Sequence, residues 1–152
     1  MRAVVQKVKY SSVTVDNEII GKIDNGFMIL LGVTHEDTLK EVEWLSKKIK
    51  DLRIFEDQDG KMNLSLEDVK GEVLIISQFT LYGNCIKGRR PSFTDAAKSD
   101  HAENLYNKFI EKFQSFGIKT QTGKFGADMK VELLNDGPVT MIIDTKDVGA
   151  LK

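Results

Sequence analysis

Two stretches read as buried strands: FMILLGV at Phe27–Val33, apolar throughout, and VLIISQFTLY at Val73–Tyr82, which opens on the apolar run VLII. A strand with one wet face alternates apolar and polar residues, so unbroken runs of this length predict strands covered on both faces. That demand shapes the rest of the chain, because something must do the covering. After the first run, Thr38-Leu39-Lys40-Glu41 has the form of a capping box, and Leu39, Val42, Leu45, Ile49 and Leu52 recur at helical spacing, with Glu43 and Lys47 placed for an outer-face pair. After the second run, a helix is expected from about Thr94 to Phe116, with Leu105, Phe109, Phe113 and Phe116 inward and Gly117 as its cap.

The remaining segments read as strands and turns. MRAVVQKV and VTV alternate, with turns near Asp16-Asn17 and Asp24-Asn25-Gly26. RIF resumes extended structure before a DQDG turn at Asp57–Gly60, and IKTQT, ADMKVELL and VTMIID close the chain as strands. Strands at both ends and two helices between them predict an α/β fold: a mixed β-sheet or barrel-like core with two main helices packed on one side. The 152 residues suit one domain spanning 1–152, long enough for a real core.

Composition narrows the setting. No apolar run approaches the roughly 18 residues of a membrane span, so no membrane association is expected. The opening segment lacks the apolar centre of a secretion signal and reads as a strand. Cys85 is the single cysteine, which rules out an internal disulfide framework and fits a cytoplasmic location. His35 and His101 stand far apart without ligand-spaced neighbours, so neither a metal site nor a cofactor is expected. Net charge is −1, yet residues 1–76 carry 11 basic and 14 acidic groups while residues 77–152 carry 11 and 9. The compact basic loop is KGRR at Lys87–Arg90, which by base rate is a solvated loop.

Between VELL and MIID lies NDGPVT, Asn135–Thr140. Asn-Asp-Gly alone would make a hairpin, but proline cannot donate to a ladder, so Gly137-Pro138 belongs at an edge, bulge or turn, with a cis bond as an option. At the exit of the second apolar run, Ser77, Gln78, Phe79 and Thr80 bring two hydroxyls, an amide and an aromatic to a strand end. Such positions often carry function, although the hydroxyls would equally satisfy nearby backbone. There is no GxSxG elbow, no phosphate-cradling glycine loop and no Ser, His and acid constellation. Catalysis here would have to rest on positioning, backbone donors or a group borrowed from the substrate.

SQFTL, GRRPSF, TGKFGADM and NDGPVT, in this order, together with RIFEDQDGKMNLS and AVVQKV, resemble the D-aminoacyl-tRNA deacylases over essentially the whole chain. The resemblance implies hydrolysis of the ester joining a D-amino acid, or mischarged glycine, to the 3′-terminal ribose of tRNA, in a homodimer with no obligatory further protein partner. It implies that Gly137-Pro138 carries a cis peptide and enters the neighbouring subunit's pocket, excluding L side chains. Ser77, Gln78, Phe79 and Thr80 would line the reaction centre, Phe125 and Met129 the terminal adenine, and Ala102 the amino-acid side. Thr80 is read as a positioning residue, with a nucleophilic role as the alternative. Many relatives carry arginine where this chain has Lys7, and lysine has no planar fork, so any grip on the Gly-Pro loop must be arranged differently. A hydrolase for another mischarged tRNA and a non-catalytic RNA-end binding module are the competing readings.

Overall fold

The computed structural model describes residues 1–149 and Leu151. β1 (Arg2–Val15) is the spine. Along one edge it pairs antiparallel with β3 (Gly26–Gly32) from Arg2 to Val8 and with β2 (Glu18–Ile23) from Ser11 to Val15. Along the other edge it pairs with β8 (Lys130–Asp144), which has no further strand neighbour among the described residues. β3 continues the sheet in parallel with β6 (Glu72–Ser77), and β6 in parallel with β7 (Thr120–Thr122). Parallel neighbours need long crossovers. These are supplied by α1 (Leu39–Lys50), followed by the small β4–β5 ribbon (Phe55–Glu56 and Met62–Leu64), and by α2 (Ser99–Ser115).

The sheet curls until β2 reaches β7. Gly21 makes this approach workable, since a Cβ there would lie 2.7 Å from the Thr122 carbonyl oxygen. The result is a nearly closed, barrel-like mixed sheet with two helices, as the order of strands and helices along the chain predicted. Alternation along β3 and β6 divides the core in two. Phe27, Ile29, Leu31, Val73 and Ile75 pack toward the helices, against Leu45, Phe109 and Phe113. Met28, Leu74 and Ile76 pack on the other face with Val8, Val13 and Ile23. A strand so covered has no position where a polar side chain is free, which is why FMILLGV and VLII are continuously apolar.

The local expectations hold with specific exceptions. Thr38 and Glu41 form the reciprocal capping box, the Thr38 N–H donating to Glu41 Oε2 at 2.7 Å. Leu39, however, is exposed, because the first helical position turns away from the sheet. Glu43 meets Lys112 of α2 at 3.8 Å in place of Lys47. α2 begins at Ser99, not Thr94, because Thr94–Lys98 is held to the end of β3, with Ala97 N–H donating to Val33. Its C-terminus agrees, Gly117 taking φ +76° just beyond the last turn. Of the strand expected over Val73–Tyr82, only the part up to Ser77 is strand. No helix among the described residues is long and apolar enough to cross a membrane.

Candidate active site

β6 ends because its partner ends. Ser77 pairs with Leu31, the Gln78 N–H donates to the Leu31 carbonyl at 2.8 Å, and β3 stops at Gly32. The chain then folds into a 3-10 turn, Phe79–Tyr82, lying back over Gly32. A Cβ at Gly32 would sit 3.2 Å from the Gln78 carbonyl and from the Tyr82 ring, so glycine lets the turn close. Leu81 and Gly83 donate their N–H groups to Gln78 and Thr80. The N–H groups of Phe79 and Thr80 have no acceptor among the described residues, as the first donors of a helical turn generally do not.

A cleft of about 540 Å³ opens beside this turn. Ser77, Gln78 and Phe79 form one wall, Ala102 of α2 another, and Phe125 and Met129, on the loop between β7 and β8, a third. Gly123 admits Met129, since a Cβ there would lie 2.4 Å from its sulfur. Phe125 leans on the Tyr106 ring, centroids 5.8 Å apart. Six of the nine residues singled out in the sequence thus line one cavity. Thr80 stands exposed on the turn, its Oγ1 accepting a hydrogen bond from Gln78 Nε2.

Gly137 and Pro138 are not in the cleft lining of their own chain. NDGPVT is not a hairpin tip either, because the two runs flanking it are one strand paired with the same β1. Gln6 pairs with Thr140 and Val8 with Asn135, so Lys7 alone faces the four residues 136–139, which bulge from the edge of the sheet. The bulge is fastened at both ends. Val139 is buried in the core and donates its N–H to Asn135 Oδ1 at 3.1 Å, while Asn135 Nδ2 and Gln6 Nε2 both donate to Thr140 Oγ1. Lys7 is buried with its ammonium 3.7 Å from Asp136, and Lys9 reaches the same carboxylate at 3.4 Å. These are two point-charge contacts where a guanidinium would offer a fork. Gly137 has φ +136° and the Gly137-Pro138 peptide is cis.

The cleft is poor in acid–base groups. The Tyr106 hydroxyl, its pKa pushed up by burial, donates to the Ile75 carbonyl at 2.8 Å and is no base. Asp128 lines the cavity but is paired with Lys130 at 2.6 Å. His35 and His101 lie outside it, bonded to the carbonyls of Thr94 and Asp37. Among the described residues no three His, Cys, Asp or Glu gather as a metal group. Sequence reading missed Tyr106 and Phe93, which also line the cleft. Tyr106 was detectable as the one hydroxylated aromatic in the inward register of α2, whereas Phe93 was marked only as the last residue of GRRPSF, with no role attached.

A model of the D-Tyr-tRNA(Tyr) deacylase family matches residues 4–144. The chain belongs to this family. A D-aminoacyl-tRNA deacylase of Fusobacterium nucleatum subsp. nucleatum is 70% identical over 97% of this chain and 97% of its own length. A D-aminoacyl-tRNA deacylase of Bacillus cereus is 58% identical over 96% of this chain and its own full length. Among solved structures, the c-Myc DNA Unwinding Element Binding Protein superposes with a TM-score of 0.89 at 44% identity, covering 95% of this chain and 99% of that one. A probable eukaryotic D-amino acid tRNA deacylase, 18% identical with a TM-score of 0.81, shares the fold over 93% of this chain and 97% of its own.

Proposed function

We propose that the protein is a D-aminoacyl-tRNA deacylase, hydrolysing the ester between a D-amino acid or mischarged glycine and the 3′-terminal ribose of tRNA. Residues 1–152 act, on this proposal, as one cytoplasmic deacylase domain. The observation that carries it is the pairing of a cleft without a general base with a fastened backbone bulge that stands outside that cleft. A chain with such parts completes its site by dimerising, the Gly137-Pro138 bulge of each subunit entering the cleft of the other.

The chemistry follows from the groups at hand. Unpartnered amides of Phe79 and Thr80 are donors for the oxyanion of a tetrahedral intermediate, a contribution typically worth about 3–4 kcal/mol per donor. Phe125 and Met129 offer flat, apolar surface to the terminal adenine. Ala102, having only a methyl group, leaves room on the amino-acid side. Proton transfer falls to the ribose hydroxyl of the substrate, because no side chain in the cleft is placed to do it. Thr80, tied to Gln78, orients the turn.

Chirality is decided by backbone. Rejecting an L-amino acid a thousandfold takes about 4 kcal/mol of differential transition-state free energy, more than one soft contact supplies. Carbonyls of a bulge fastened at Asn135, Asp136 and Val139 form a firm wall that an L side chain meets and glycine does not. The test is ester release from tRNA charged with D, L and achiral amino acids. Release of D-aminoacyl and glycyl esters with L-esters spared is expected. Tight tRNA binding without release from any substrate would make the protein an RNA-end binding module instead, and release confined to other mischarged tRNAs would make it a different editing hydrolase.

A further inference from the structure

Phe79 and Phe93 stand as an edge-to-face pair at the mouth of the cleft, ring centroids 5.1 Å apart and planes 70° apart. Both are exposed, Phe79 by 57% and Phe93 by 39%. Phe93 is held in place from behind, because its ring lies on the backbone of Gly83, where a Cβ would come within 3.0 Å of it. An exposed aromatic pair fixed by a glycine is a stacking surface.

The neighbouring segment identifies the kind of occupant. Residues 84–92 form a hairpin closed at its foot by reciprocal backbone bonds, Asn84 N–H to Ser92 at 2.7 Å and Ser92 N–H to Asn84 at 2.9 Å. Phe93 follows at once. Gly88, with φ +72°, turns the tip, which presents Lys87, Arg89 and Arg90 exposed and in no ion pair among the described residues. Aromatic faces beside unpaired cations are how proteins hold single-stranded nucleic acid: bases stack while the groove takes the phosphates. An amino-acid side chain would use the rings but bring nothing for the hairpin to meet.

We propose that Phe93, together with Phe79, stacks a base of the single-stranded RNA end on the 5′ side of the terminal adenosine, with the 84–92 hairpin holding the adjoining phosphate. The proposal rests on the deacylase reading and names a second nucleotide subsite for it. Phe93 is a binding residue and touches no reacting atom.

Two substrates separate the possibilities: D-aminoacyl-tRNA, and the same amino acid esterified to adenosine alone. For Phe93→Ala the ratio of kcat/KM on tRNA to kcat/KM on the nucleoside ester should fall about tenfold, the size expected for one lost stacking contact. The loss should lie in KM, and Phe93→Trp should restore it. Equal losses on both substrates would overturn the proposal, placing Phe93 against the amino acid or in the fold, and so would no loss on either. Affinity for a short RNA ending in the tRNA 3′ sequence is measured alongside. If the wild type cleaves nothing yet Phe93→Ala weakens that affinity tenfold, the subsite stands and the deacylase reading falls.

Discussion

Thr80 and Lys7 are the residues whose surroundings say most about their roles. Thr80 is exposed, and its hydroxyl accepts from Gln78, with no carboxylate or imidazole among the described residues hydrogen-bonded to it. A hydroxyl so placed is a weak nucleophile. Thr80→Ala should therefore lower kcat by up to about 100-fold, the cost of mispositioning, and leave measurable activity. Intact-mass spectrometry of the wild type during turnover should show no acyl adduct; an adduct on Thr80 would make it the nucleophile. Lys7 is the sole β1 residue facing the 136–139 bulge, and its buried ammonium meets Asp136. With Lys9 still in reach of the same carboxylate, Lys7→Met should leave the fold standing but loosen the wall. The D-over-L ratio of kcat/KM should narrow about tenfold, or about 1.4 kcal/mol of discrimination. An unchanged ratio would show that Asn135 and Val139 hold the bulge unaided.

At the scale of elements, β8 is tied to β1 at its far end by Asp144, which takes two guanidinium contacts from Arg2 at 2.8 Å and the Lys146 N–H at 3.0 Å. Burial works to raise the Asp144 pKa, but the Lys146 amide and the Arg2 charge and hydrogen bond outweigh it and hold the carboxyl below its usual range. A carboxylate whose pKa is lower folded than unfolded stabilises the fold above the unfolded value and loses that contribution as pH falls through the folded one. Asp144→Asn should accordingly lower the urea midpoint at neutral pH, with the gap to wild type closing on acidification. A gap independent of pH would mean that packing, and not charge, ties the strand. Elements were also where local signals failed selectively. The Thr38–Glu41 cap was legible because its chemistry lies within four residues. The end of β6 at Ser77 was not, because it is set by where β3 stops.

For the molecule as a whole, the open edge of β8 is the conspicuous feature. It is long, it carries Leu134 and Ile142 half-exposed or more, and no other strand among the described residues pairs with it. Edges of this kind are covered or guarded in stable proteins. The proposed dimer covers it and carries each bulge into the partner's cleft. Sedimentation should give a dimer at assay concentration, and Ile142→Lys should shift it toward monomer with activity falling in parallel. A monomer of full activity would end the composite-site reading.

By itself the sequence determined whatever depends on local chemistry or on periodicity: two strands covered on both faces, two amphipathic helices, the caps at Thr38 and Gly117, and the motifs that resemble the deacylases. It also supplied the list of site residues, six of which meet in one cavity. Tertiary structure decided what depends on partners distant in the chain. NDGPVT has the local signals of a hairpin, yet both of its flanks pair with β1, so it became a bulge. Phe93 closes the GRRPSF motif, but it acquired a place only when Gly83 and Phe79 were brought against it. Local propensities favour a conformation by about 1 kcal/mol or less per residue, and a buried side chain or a strand's set of ladder bonds outweighs that wherever the two disagree.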